Sequence, residues 1–131
     1  MIAPVAGTVI GVGTDLVEID RFRLAMSRRG DRFTERLFSD DERRYADRHR
    51  DPAPRFAARF AAKEAVMKAL GVGLWKFAFR DVEVVRAASG APSLALRGKA
   101  AELATVRGVG SWQLSLSHTD ATAIAVALAL A

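Results

Sequence analysis

The sequence predicts an α+β fold, a compact single domain over residues 1–131 in which a long central helix packs on a small, mainly antiparallel sheet. Three observations carry this reading. FAARFAAKEAVMKAL at 56–70 contains no helix breaker, and its Ala, Lys, Glu, Met and Leu rank high in helix propensity. TVIGVGTDLV at 8–17 reads as a buried strand. Two pairs of short strands, 82–86 with 93–97 and 112–117 with 124–130, are each joined by a turn and so pair antiparallel.

Length and composition bound the function classes. At 131 residues the chain is about the modal size of one domain and can bury a core without staples. It has no cysteine, which excludes disulfides and zinc-thiolate sites and suits the cytoplasm. No run of about eighteen apolar residues occurs, and MIAPVAGTVIGVG lacks a charged leader, so neither a transmembrane helix nor a signal peptide is expected. A net charge of +5 and a pI near 10.4 suit an acidic partner, whether nucleic acid, a phosphate-bearing ligand or an acidic protein.

Along the first strand, Val9, Gly11, Gly13 and Asp15 share one face and Ile10, Val12, Thr14 and Leu16 the other. The two glycines clear space beside Asp15, either for a close backbone or ligand, or for a bulge with Asp15 capping the next helix. From Glu18 the pattern turns helical: Ile19, Phe22 and Met26 form an apolar stripe, with Arg21, Arg28 and Arg32 near the opposite side and Gly30 able to end the helix. That row is either a solvated face or a docking surface for an acidic partner. Phe33, Leu37 and Phe38 follow at helical spacing, then Ser39 three before Glu42 fits a capping box that starts another helix. Tyr45 is expected to pack inward and His49 to stand in solvent. RHRDPAPR is a loop, and Pro54 can open the central helix.

Phe56, Phe60 and Met67 lie on one face of that helix, and Glu64 falls inside the same stripe. A carboxylate there is costly unless paired or bound to a cation, which makes Glu64 a candidate site residue. Gly71 and Gly73 stop the helix. GKAAELATV at 98–106 reads as a short helix. In the closing hairpin, Trp112, Leu114 and Leu116 alternate with Gln113, Ser115 and Ser117, and Ile124, Val126, Leu128 and Leu130 alternate with alanines. Its turn at 117–121 places His118 and Thr119 at a strand end, where a histidine is either structural or functional.

Asp15 and Glu64 are too few to cage calcium and fit magnesium better, because that ion keeps waters and is completed by substrate phosphates. Lys63 and Lys68 flank Glu64, and Arg59 begins the basic edge of the same helix. This set suits phosphoryl or phosphodiester transfer; the competing reading is a plain Glu64–Lys68 ion pair. There is no GxxxxGK[ST], no GxGxxG and no GxSxG, so P-loop, Rossmann and serine-hydrolase readings lack support, the last despite Ser115, Ser117, His118 and Asp120.

GVGTDLVEIDRF at 11–22, RFAARFAAKEAVMKALG at 55–71, the GAP turn at 90–92 and LSLSHT at 114–119 stand in the order and spacing of a known family. The chain resembles the holo-acyl-carrier-protein synthases, the short bacterial 4'-phosphopantetheinyl transferases, over nearly its whole length. The resemblance implies a trimer of α/β subunits with active sites between neighbours. It implies transfer of phosphopantetheine from coenzyme A to a serine of an acidic apo acyl carrier protein, releasing adenosine 3',5'-bisphosphate. Magnesium would sit on Asp15 and Glu64. Lys68 would stabilise the phosphates and the leaving group. Arg59, Lys63, Gly71, Ser117, His118 and Thr119 would line the coenzyme, and Arg21 and Arg28 would dock the carrier. The serine's proton would pass to Glu64 directly or through a water that it holds. Neither a membrane nor a nucleic acid is implied as a partner.

Three departures from the family pattern limit this transfer of roles. MIAPVAG delays the motif strand, the loop 49–54 is short and proline-rich, and position 25 on the docking face is a small Ala. Against the transferase stand a basic nucleic-acid-binding module, supported only by charge and the arginine face, and a non-catalytic interaction protein. The joint presence of Asp15, Glu64, Lys68 and His118 argues against the latter. Whether the carrier serves fatty-acid or polyketide synthesis is left open.

Overall fold

A computed structural model describes residues 7–131, so all but the last residue of the MIAPVAG extension lies outside the described residues. The elements run β1 (Val9–Glu18), α1 (Ile19–Arg29), α2 (Asp31–Leu37), α3 (Asp40–Asp47), α4 (Ala53–Ala69), a 3-10 turn (Phe79–Asp81), β2 (Val82–Arg86), β3 (Pro92–Leu96), α5 (Gly98–Val106), β4 (Ser111–His118) and β5 (Thr122–Leu130). The architecture is α+β, as expected. β1, β5 and β4 form one antiparallel sheet in that order, and β2 and β3 form a separate hairpin. Helix α4 lies across the three-stranded sheet, with α1, α3 and β2 packed around it.

Small residues set how close that helix comes. On β5, Ala123, Ala125, Ala127 and Ala129 are fully buried, and they meet an α4 surface made of Ala57, Ala58, Ala61, Ala62 and Ala65. On β1 the fit is tighter: a Cβ on Gly11 would stand 2.0 Å from the Ala69 carbonyl oxygen, and one on Gly13 1.8 Å from that of Ala65. The glycines therefore serve helix-to-strand contact, which only a missing side chain permits.

With the alanine face inward, the larger residues of β1 and β5 face out. Val12 (61% exposed), Leu16 (58%), Ile124 (40%) and Val126 (36%) form a bare apolar patch, bordered by Gln113, Ser115 and Ser117 of β4. The expectation of a buried first strand is corrected here: β1 is covered on its glycine face alone. The register also shifts between Val9 and Gly11.

The other half of the core is aromatic. Phe22 packs on Phe60 (centroids 5.3 Å apart) and Phe33 (5.6 Å), and Phe38 on Phe56 (4.8 Å), tying α1, α2 and the start of α3 to α4. Ser39 and Glu42 make the reciprocal capping box read from the sequence. Pro54 lies in the first turn of α4, which opens at Ala53, and Gly71 (φ 68°) stops it. No helix among the described residues is long and apolar enough to cross a membrane.

Candidate functional site

Asp15 follows Gly13 by two residues on the helix-facing side of β1, and Glu64 precedes Ala65, the residue whose carbonyl Gly13 meets. The close approach that the glycines permit thus brings the two carboxylates together. Helix α1 begins at Ile19 with Glu18 at its cap position, so Asp15 caps nothing. Burial first, then the charge of Asp15 and a hydrogen bond with it, hold the Glu64 carboxyl above the usual carboxylate range, while Lys68 pulls it back in part.

Lys68 does not pair with Glu64 along the helix. Its ammonium donates to Asp15 Oδ1 (3.1 Å) and to the Thr14 carbonyl (2.9 Å), so a cation already sits against this carboxylate pair. Asp15 is 12% exposed and Lys68 49%, so the lysine reaches solvent and the aspartate is largely enclosed. Among the described residues no third histidine or carboxylate joins the two acids. Such a donor set suits a hard cation that retains waters or takes ligand oxygens for the rest of its shell. The pair opens into a groove of about 430 Å³, also lined by Arg21, Phe22, Ala25, Arg29, Phe33 and Phe60. Arg28 lies on the same helix, exposed.

A second cavity, of about 260 Å³, lies elsewhere on the chain, between Arg59, Arg55, Tyr45, Arg86, Pro92 and His118. Arg59 is only 5% exposed, its guanidinium lies 4.4 Å from the centre of the Tyr45 ring, and its Nε has no hydrogen-bond partner. No carboxylate is salt-bridged to Arg59 among the described residues, and burial pulls its pKa down, with attraction from Glu42 the chief opposing effect. A buried, under-partnered guanidinium facing a cavity is a place for an anion. Arg86 donates to the Tyr45 hydroxyl and stacks 5.1 Å from its ring. Burial pushes the Tyr45 phenol up, but the hydrogen bond from Arg86 and the charges of Arg86 and Arg59 outweigh that and leave it below its ordinary value. Tyr45 thus packs between arginines, and half-buried His49 stacks on it (5.1 Å) instead of standing in solvent.

The other sequence-derived positions separate. Lys63 stands apart from both cavities: it is fully buried, and its Nζ donates to Glu42 Oε1 (2.8 Å), Phe79 O (3.0 Å) and Val82 O. Its donors are occupied inside the fold. Residues one apart on a helix point about 100° apart, so Lys63 turns inward where Glu64 reaches the groove. Gly71 ends α4 and lines neither cavity. Ser117 faces out beside Ile124, on the opposite side of the sheet from His118. Thr119 closes the β4–β5 turn, its Oγ1 accepting from the amides of Ala121 and Thr122. It lines a charged recess with His118, Arg23, Arg50 and Arg55 and with Asp51 and Asp120. From the sequence, Arg86 and Arg55 do not stand out as lining residues and Tyr45 reads as packing alone; the GAP turn and the motif beginning at Arg55 are the signals nearby, and Arg86 meets Tyr45 only through the tertiary fold.

Comparison with known proteins agrees with this arrangement. Residues 11–127 match the model of the 4'-phosphopantetheinyl transferase superfamily. The chain is 44% identical to the holo-[acyl-carrier-protein] synthase of Desulforudis audaxviator, over 93% of each protein, and 38% identical to that of Caldanaerobacter subterraneus, over 92% of this chain and 94% of the relative. The holo-[acyl-carrier-protein] synthase of Neisseria meningitidis superposes with a TM-score of 0.85 at 28% identity, covering 93% of this chain and 98% of that one. The Helicobacter pylori synthase, solved in complex with coenzyme A, superposes at 0.79 with 30% identity, covering 92% and 99%. The chain belongs to the 4'-phosphopantetheinyl transferase superfamily and is an enzyme of its holo-[acyl-carrier-protein] synthase group.

Proposed function

We propose that this chain, as one transferase domain over 1–131, moves 4'-phosphopantetheine from coenzyme A to a serine hydroxyl of an apo acyl carrier protein. The serine oxygen bonds to the phosphorus that carries the pantetheine arm, the bond from that phosphorus to the bridging oxygen breaks, and adenosine 3',5'-bisphosphate leaves. The observation that carries this reading is the Asp15–Glu64 pair, brought together at a groove with the Lys68 ammonium against Asp15. Asp15 and Glu64 would hold magnesium, which when bound would neutralise charge on the phosphates. Lys68, half-exposed and one helical turn from Glu64, has the reach to sit on the phosphates and stabilise the leaving group. The raised proton affinity of Glu64 suits it to take the serine's proton, directly or through a water. Arg59 and His118, in the second cavity, bind the phosphorylated nucleoside end.

The two cavities share no residue, so one coenzyme filling both is best served by neighbouring subunits. The bare face of Val12, Leu16, Ile124 and Val126 supports the homotrimer: a sheet surface of this kind is stable once another copy covers it. Arg21 and Arg28, beside the carboxylate groove, receive an acidic carrier. A cytoplasmic location fits a chain without cysteine. The deciding experiment is intact-mass measurement of a panel of apo carrier proteins incubated with the enzyme, coenzyme A and magnesium. One added phosphopantetheine, lost on chelation, is expected. No mass change on any carrier overturns the reading.

A further inference from the structure

We propose that Trp75 is an aromatic anchor for the carrier protein, extending the docking face from α1 across α2 to the loop after α4; this rests on the transferase reading. Among the described residues Trp75 is the one non-glycine with positive φ (66°), and it is 63% exposed, next to a 57% exposed Leu74. A large side chain in the left-handed region is strained, and here little burial offsets that strain. The ring is nevertheless held in place: the Arg36 guanidinium lies 5.0 Å from its centre and the Phe79 ring 6.2 Å away. Binding hot spots are enriched in tryptophan and arginine, and here an exposed indole stands beside a guanidinium.

Its surroundings name the partner. Trp75, Arg36, Leu37, Arg32, Arg29 and Phe33 line a groove of about 460 Å³. Arg29 and Phe33 also line the groove that holds Asp15 and Glu64, so one continuous track runs from the carboxylate pair to the indole. Arg29, Arg32 and Arg36 make no ion pair among the described residues; Arg29 instead stacks 5.4 Å from Phe33. Arg29 ends α1, and α2 carries two acids beside Arg32 and Arg36: Asp31 at its start, and Glu35, which faces Arg43 at 3.9 Å; Glu18 lines the far end of the track, by the carboxylate pair. Unpaired arginines over an apolar floor fit an acidic amphipathic helix that lays one apolar side chain against Trp75. A carrier with its serine at the carboxylate pair has room to lie along this track. A second copy of this chain, with net charge +5, is a poor match for the same arginines.

The test uses Trp75→Ala and Trp75→Gly, the latter because glycine relieves the left-handed strain and keeps the loop folded. With carrier and coenzyme A varied separately, both variants are expected to raise the carrier KM about 10-fold while the coenzyme A KM stays within about twofold. The Tm of Trp75→Gly equals or exceeds wild type. The loss in Trp75→Ala persists at high salt, whereas that in Arg36→Gln fades, since only the latter is ionic. An unchanged carrier KM overturns the anchor. So does a rise confined to coenzyme A, which would make Trp75 a cover for the coenzyme, or a changed oligomeric state by light scattering, which would seat a second copy there. If the wild type binds no apo carrier by surface plasmon resonance, the transferase reading fails and the anchor with it.

Discussion

Glu64 shows how one side chain couples chemistry to stability. Its carboxyl is held above its ordinary pKa of 4.5 by burial and by Asp15, so the folded state keeps a proton that the unfolded chain releases. The wild type therefore loses stability as pH rises from the ordinary carboxylate range through the raised value. Glu64→Gln escapes that loss. In melts followed by circular dichroism, its Tm is expected to match wild type at the acid end and to exceed it increasingly toward neutral pH. Magnesium narrows the gap, because a bound cation stabilises only the wild type. The same variant is expected to lose at least about 100-fold in transfer rate, the order of a lost proton acceptor. A Tm difference independent of pH would show that Glu64 is not held protonated by its setting.

At the scale of elements, the contact of β1 with α4 makes the site. The Gly13 Cα lies so close to the Ala65 carbonyl that Gly13→Ala is expected to cost about 3 kcal/mol or more in a urea titration, the upper end for overpacking. Because the strand must move away, Asp15 moves too, and transfer falls with stability. A second junction joins α3, α4 and β2. Glu42 accepts from Lys63 and from the amides of Ser39 (2.9 Å) and Val84 (3.0 Å), and Glu83 accepts from Ser39 and from Arg97 (2.8 Å). Removing one partner of a fully buried pair strands the other charge. Lys63→Met is expected to destabilise by about 3–5 kcal/mol, with the coenzyme A KM unchanged in the folded fraction. A raised KM at wild-type stability would return Lys63 to the coenzyme.

For the whole molecule, the decisive surface is the outer face of the three-stranded sheet. Ile124 and Val126 stand in its centre, paired with Leu16 and Thr14 on β1 and with Ser117 and Ser115 on β4. Val126→Lys places a charge where a trimer would bury it. The expected product is a folded 14.2 kDa monomer by light scattering, with transfer largely lost on the proposal that neighbouring subunits bring the two cavities together. An active monomer would show that one chain holds the complete site.

By itself the sequence determined the periodic elements and the local chemistry that starts and stops them. The period of 3.6 in α4, the alternation in β4 and β5, the Ser39–Glu42 box, Pro54 in the first turn of α4 and Gly30 and Gly71 at helix ends are short-range effects, legible from neighbours in the chain. Glu64 was legible as a charge on an apolar stripe, and Asp15 as an acid beside glycines. Only the tertiary structure decided which face of each strand is covered. Alternating alanines and large residues fit either orientation, and the choice fell on the alanines because Gly11 and Gly13 bring the α4 backbone too near for anything larger. It also decided that Lys68 meets Asp15 instead of Glu64, that Lys63 turns inward to Glu42, and that Arg59 shares Tyr45 with Arg86. Those pairings join residues distant in sequence, and burial and electrostatics act on separation in space, which residue order does not contain.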